Sequence, residues 1–124
     1  MSTLQLQVEP IAARLDPRGA LWKLLPGPVP GEVYAVQLDV GVSRGHHLHA
    51  RGGEWFMAIT GRALLVVVDP ATGARAEVML DGVRARVEPG QAHAIFGLEP
   101  AIVLALADRL PEADETVPYP VAAP

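Results

Sequence analysis

The sequence has no cysteine, a single lysine and few aromatic residues. Without thiols there is no disulfide and no thiolate-bound zinc, so any metal must be held by nitrogen and oxygen. Aromatic residues make up only 5% of the chain, which leaves little material for stacking platforms beneath a sugar or a base. No apolar run approaches the length of a membrane span, and the N-terminus carries no secretory hydrophobic stretch. A cytoplasmic protein without membrane attachment is therefore expected. The net charge of -4 argues against general nucleic-acid binding, which needs a basic surface. Of the ten basic residues all but Lys23 are arginine. A GC-rich genome or a thermophilic host explains most of them, and a bidentate grip on phosphate explains one or two. Internal repeats and low-complexity segments are also lacking.

What the chain does have is punctuation. Its 124 residues include 12 glycines and 12 prolines, and half of it is hydrophobic. That suits one domain with an ordinary core and many turns rather than long helices. Leu4 to Val8 alternates apolar and polar residues and predicts a half-buried strand. Pro26 to Gly31 predicts a loop, and Trp22 covers an edge. Val33 to Val40 predicts a strand with Tyr34, Val36, Leu38 and Val40 on one face. Further strands follow over Glu54 to Thr60, Ala63 to Val68, Arg75 to Leu80, Val83 to Val87, His93 to Phe96 and Ile102 to Ala107. Asp81-Gly82 is a hairpin signal. Short strands at regular spacing predict an all-β sandwich or barrel over residues 1–110. The acidic, proline-rich stretch 111–124 is expected to lie across the surface or to be disordered.

The chemistry concentrates between Gly41 and Gly61. His47 and His49 are two apart, so on a strand both point to one face, and His46 points to the other. Glu54 follows after a glycine turn, and the Pro89-Gly90-Gln91-Ala92 turn leads into His93. If all four side chains point into a small barrel, three imidazoles and a carboxylate meet. Such a set suits zinc, manganese, iron, nickel or copper, or acid–base work. His46 is expected to be solvent-exposed or hydrogen-bonded to a loop.

The spacing from Gly41 through His47, His49 and Glu54 to Gly61 resembles the first motif of the cupin superfamily, G-x5-H-x-H-x4-E-x6-G. The second motif, G-x5-P-x-G-x2-H-x3-N, is matched at Gly90 and His93. Its proline falls one place late at Pro89, and Gly97 stands where the asparagine belongs. The resemblance runs from about Val33 to Ala107. It implies a jelly-roll β-barrel and a divalent metal on His47, His49, Glu54 and His93.

Arg44-Gly45-His46-His47-Leu48-His49 narrows the likeness further. It resembles the R-G-x-H-x-H signature of cupins that act on nucleotide-linked sugars in polysaccharide biosynthesis: the dTDP-4-dehydrorhamnose 3,5-epimerases, the dTDP-4-keto-6-deoxyhexose ketoisomerases and the epimerase cupins of capsular reductases. The resemblance implies His47 as the base that removes a proton beside a carbonyl, His49 as the second ketoisomerase histidine, and a tyrosine acid. Tyr34 and Tyr119 are the two tyrosines, and Tyr34 is the candidate because Tyr119 lies in the tail. Arg44 either anchors a diphosphate or pairs with a nearby acid. The expected partners are a small molecule, such as a nucleotide-linked sugar, and a second copy joined through an edge or exchanged N-terminal strand. Two other readings stay open: a different metal enzyme, such as a dioxygenase or decarboxylase, and a non-enzymatic module that binds a metal or small ligand.

Overall fold

The structure, a computed structural model, describes residues 4–124. It contains β1 (Gln7–Pro10), β2 (Ala13–Asp16), β3 (Gly19–Trp22), β4 (Val33–Leu38), β5 (Ser43–His49) and β6 (Glu54–Thr60). These are followed by β7 (Ala63–Val68), β8 (Arg75–Leu80), β9 (Val83–Val87), β10 (Ala92–Gly97), β11 (Ala101–Ala107) and β12 (Thr116–Pro118). One 3-10 turn, Pro111–Ala113, precedes β12. No helix among the described residues is long and apolar enough to cross a membrane.

The strands form two five-stranded sheets, ordered β1-β9-β6-β11-β4 and β12-β5-β10-β7-β8. All pairings are antiparallel. The inner faces pack on each other in one core, with Leu38, Phe56, Ala85 and Val103 from the first sheet against Leu65, Val67, Leu80 and Ile95 from the second. This is an all-β jelly-roll barrel; the strand spacing predicted a sandwich or barrel, and the cupin resemblance implied the jelly roll.

Alternation decides which residues go inside. In β11, Ala101, Val103 and Ala105 are buried while Ile102 is exposed. β7 is apolar on both faces, because it is central and its outer face is covered too. That cover comes from the tail: Val121 is 5% exposed and packs with Val66, Ala92 and Ala94.

The chain turns at two opposite ends. At the closed end, residues 39–42, 61–62, 81–82 and 98–100 link the strands. Gly61 is required there, since its φ is +69° and a Cβ would run into the Pro100 carbonyl. At the open end lie the links 50–53, 69–74, 88–91 and 108–115.

Three local expectations are revised. The first strand begins at Gln7 rather than Leu4; Leu4 and Leu6 instead pack on the core as irregular chain. β1 pairs with β9 and so completes its own sheet. The residues between it and the proline-rich loop form a hairpin, β2–β3, turning at Pro17-Arg18. All eight of its strand positions are exposed, so it lacks the buried face from which a strand pattern is read.

Candidate active site

β5 sets the site. Its register against β10 places His47 directly opposite His93, and beyond His93 the register shifts. Ala94 then faces Gly45, and Ile95 faces Arg44, so His46 is an extra residue in a β-bulge. Gly45 has φ +99°, and His46 is the one non-glycine residue with positive φ among those described, at +59°. The bulge shifts parity by one. Arg44 therefore shares the inner-face position of Ile95, a core residue, where strict alternation would turn it outward.

The turn after His49 returns the chain as β6, whose first residue is Glu54. Gly53 fits tightly there, since a Cβ would strike the Arg86 guanidinium, and its N–H donates to Asp108. Arg86 pairs with the same Asp108 and lies over Trp55, so this corner is fixed from outside the barrel.

His47, His49, Glu54 and His93 meet at the open end, with one donor atom from each within 4.8 Å of all the others. Ring centroids are 4.8 Å apart for His47 and His49, and 4.9 Å for His47 and His93. His93 is 2% exposed and Glu54 is 3% exposed. Phe56 closes the floor, with its ring 5.1 Å from that of His93.

Glu54 and His49 organise a polar chain. Glu54 Oε1 lies 2.6 Å from His49 Nε2, and Tyr34 donates its hydroxyl to Glu54 Oε2 at 2.6 Å. On the far side of the imidazole, His49 Nδ1 lies 3.3 Å from Asp114 Oδ2 and 3.2 Å from Thr116 Oγ1. A run of groups thus extends Tyr34–Glu54–His49–Asp114.

This arrangement drives the histidines apart. Burial lowers the pKa of His47, and the neighbouring His49 adds to the effect. The adjoining Glu54 carboxylate raises that of His49 against the cost of burial, and Asp114 helps. His93 is pushed down to about 3, chiefly by burial. Burial opposes ionisation of Glu54, yet His49 and Tyr34 hold its pKa below the ordinary value. Tyr34 is pushed up by burial and by Glu54, so it stays a phenol. The two neighbouring imidazoles are thus shifted in opposite directions, His47 toward its neutral form and His49 toward its charged form.

The donor set fits a divalent metal. His49 Nε2, Glu54 Oε1 and His93 Nδ1 are buried without a well-angled hydrogen bond. Unsatisfied buried groups are rare; His93 Nδ1 has no partner, and together with His47 and the close His49–Glu54 pair it offers the nitrogen and oxygen ligands that such an ion takes.

Beside the cluster is a cavity of about 130 Å³, lined by Tyr34, His49 and Glu54, with Arg109 and Asp114 at its rim. Tyr34 is thus inside the site. Tyr119 is not; it packs on the outer face of the second sheet. Arg44 is exposed and has no ion-pair or hydrogen-bond partner among the described residues. It stands on β5 where β12 no longer covers that edge, along the seam between the two sheets. Sequence reasoning gave no role to Asp114. Its place depends on Thr116 pairing with His49 across the fold, which no local spacing signals.

Solved structures share this architecture. A dTDP sugar isomerase from Desulfovibrio desulfuricans superposes with a TM-score of 0.83 at 19% identity, covering 98% of this chain and 91% of that one. This chain shares the fold of that isomerase. The 3'-monoepimerase ChmJ from Streptomyces bikiniensis, solved with dTDP-quinovose, gives a TM-score of 0.78 at 21% identity over 94% of this chain and 73% of that one. A 3,4-ketoisomerase from Helicobacter canadensis gives 0.73 at 18% identity over 85% of this chain and 84% of that one. No protein-family model matches the sequence, and no curated protein matches it.

Proposed function

We propose that this cupin is an isomerase or epimerase of nucleotide-linked keto sugars. The observation that carries the reading is a pair of imidazoles 4.8 Å apart between ring centres, His47 with its pKa lowered by burial and His49, which lines the cavity, with its pKa raised by Glu54. Neighbouring groups whose pKa values are pushed apart divide acid and base work between them. The shared fold with dTDP-sugar isomerases and epimerases supports the substrate class.

In this reading a free ring nitrogen of His47 takes the proton from the carbon beside the sugar carbonyl. The C–H electron pair moves into the C–C bond, and the carbonyl oxygen becomes an enolate. On the same reading His49, in its protonated form, and the Tyr34 phenol stabilise that charge, and Tyr34 is the candidate proton donor. Return of the proton to the other face of the same carbon gives an epimer. Protonation of the former carbonyl carbon, with loss of the neighbouring hydroxyl proton, moves the ketone along the ring. Glu54 and Asp114 orient His49 and favour its charged form.

The cavity takes the reacting part of a sugar but is too small for a nucleotide, since ligand pockets usually span about 300–1,000 Å³. The nucleotide must therefore run outside, along the seam. Arg44 is exposed there, with its guanidinium free for a diphosphate.

A divalent metal on His47, His49, Glu54 and His93 would supply Lewis-acid polarisation of the carbonyl. His47 cannot then be the free base, so metal occupancy and proton transfer by His47 compete. Purified protein should be analysed for metal, stripped with chelator, and offered a dTDP-4-keto-6-deoxyhexose in deuterated water. Incorporation of deuterium beside the carbonyl, lost in His47→Ala, supports the proposal. Absence of incorporation in both metal-loaded and metal-free protein, across epimerase and ketoisomerase substrates, would overturn it.

A second reading, a metal enzyme acting on a small acid, draws support from the small cavity alone. Redox-active iron or manganese together with oxygen consumption would favour it. The β2–β3 hairpin is our candidate for the arm that joins two copies, because a bare two-stranded hairpin is marginal in water and Leu15 is 76% exposed on it. Deleting Ala13–Trp22 should convert a dimer to a monomer in light scattering.

A further inference from the structure

His46 immediately precedes His47, the first of the four clustered side chains, and is not part of the cluster. Its backbone is left-handed: φ of +59° is free of cost only for glycine, and L-residues lose of order 1 kcal/mol there, asparagine and histidine being among those that adopt it most readily. A β-bulge needs no imidazole. Strain kept at one residue, where glycine would relieve it, calls for a compensating role of the side chain.

That role is visible on the outer face of the second sheet. The tail runs antiparallel along β5, with Thr116 opposite His49 and Pro118 opposite His47. Pro118 and Pro120 have no N–H, so Tyr119 and Val121 supply the amide donors of this stretch. Both are taken by one residue. Tyr119 N–H donates to the His46 carbonyl at 2.8 Å, and Val121 N–H donates to His46 Nδ1 at 3.1 Å. An accepting Nδ1 places the ring proton of a neutral imidazole on Nε2, which donates to Ser43 Oγ at 2.9 Å. The ring edge rests against Phe96, 5.8 Å between centroids. Val121 is then pegged into the apolar patch of Val66, Ala92 and Ala94.

The other end of the same segment is in the site. Asp114 Oδ1 accepts the Arg51 N–H at 3.0 Å, Glu115 O accepts the Ala50 N–H at 2.8 Å, and Asp114 Oδ2 faces His49. Between Asp114 and the first latch residue, Tyr119, lie only Glu115 and the strand β12.

We propose that His46 is a positioning residue: its ring latches the C-terminal strap, and the latched strap holds Asp114 against His49. The bulge thus has two outputs. Inward it brings Arg44 to the seam, and outward it presents the ring that fastens the tail. The latch goes beyond the isomerase reading and holds whether or not that reading survives.

Amide hydrogen exchange on the full chain tests it without any substrate. His46→Gly relieves the backbone but removes the acceptor. His46→Asn tolerates positive φ and places a carbonyl oxygen near the position of Nδ1. The Arg51 amide reports Asp114 directly, and the Val121 amide reports the latch. In His46→Gly both should exchange about tenfold faster or more, as for one lost hydrogen bond, while β7 and β11 amides stay protected. His46→Asn should recover most of the protection. Val121→Pro, which deletes the donor and keeps the imidazole, should free the Arg51 amide as His46→Gly does, and Val121→Ala should do so less. Unchanged Arg51 exchange in His46→Gly and Val121→Pro overturns the proposal, as does equal loss in the Gly and Asn variants. If His46→Gly fails to fold, Val121→Pro against Val121→Ala decides.

Discussion

At the closed end of the barrel Leu38, Ala63, Leu80 and Ala101 fill the space between the sheets; at the open end His47, His49, Glu54 and His93 occupy the corresponding inner positions. Hydrocarbon at one end is held by removal of apolar surface from water, which acts without regard to direction. Polar groups at the other end are tolerated only where they satisfy one another, so their geometry is directional and their charge states are coupled. The closed end holds the two sheets together. The open end draws on that rigidity to keep four side chains converged, two of them almost fully buried.

The sharpest way to break this contrast is to strike each end separately. His47→Ala should lower deuterium exchange of a nucleotide-linked keto sugar by about 10²–10⁴-fold, the usual worth of a general base, with unfolding midpoint nearly unchanged. Leu80→Ala should do the reverse. It should cost about 2–5 kcal/mol in chemical unfolding while exchange per folded molecule stays near that of the parent. If Leu80→Ala silences the chemistry in protein that remains folded, the ends are not independent.

A milder test concerns pH. Buried His93 has its pKa pushed down to about 3 from an ordinary 6.5, so the unfolded chain binds more protons between those values. His93 therefore makes stability rise with pH across that window and fall as acid is added. In metal-free protein, urea unfolding at a series of pH values should show this slope, and His93→Asn should flatten it. Glu54, lowered, adds stability above its ordinary range that is lost in acid; His49, raised, adds stability that fades as pH climbs past its folded value. The smallest effect is expected at Arg44. Arg44→Ala should raise KM for the nucleotide sugar about tenfold with kcat little changed, and the difference should shrink with salt. An equal fall in kcat would place Arg44 in the chemistry rather than along the seam.

Much of the barrel was legible because period-two alternation and turn residues are local. Val33, Glu54, Ala63, Arg75 and Val83 each begin a strand where the pattern first shows it. The β2–β3 hairpin escaped because no face of it is buried, and burial is what imprints alternation on a strand. The four-residue cluster was legible through its spacing, since His47 and His49 had to share a face. Arg44 is the instructive exception. Counting in twos from His47 turns it outward, and only the bulge at Gly45-His46 turns it in.

The sequence by itself determined the strands, the turn at Gly61 and the candidate ligands, because backbone sterics and hydrophobic periodicity act within a few residues. Tertiary structure alone decided that Asp114 reaches His49, that Tyr34 is bound to Glu54, that the His46 ring meets the tail and that the pKa values of His47 and His49 are shifted in opposite directions. Those outcomes depend on pairing between segments far apart in the chain and on the low dielectric their packing creates, and neither is encoded in any local run of residues.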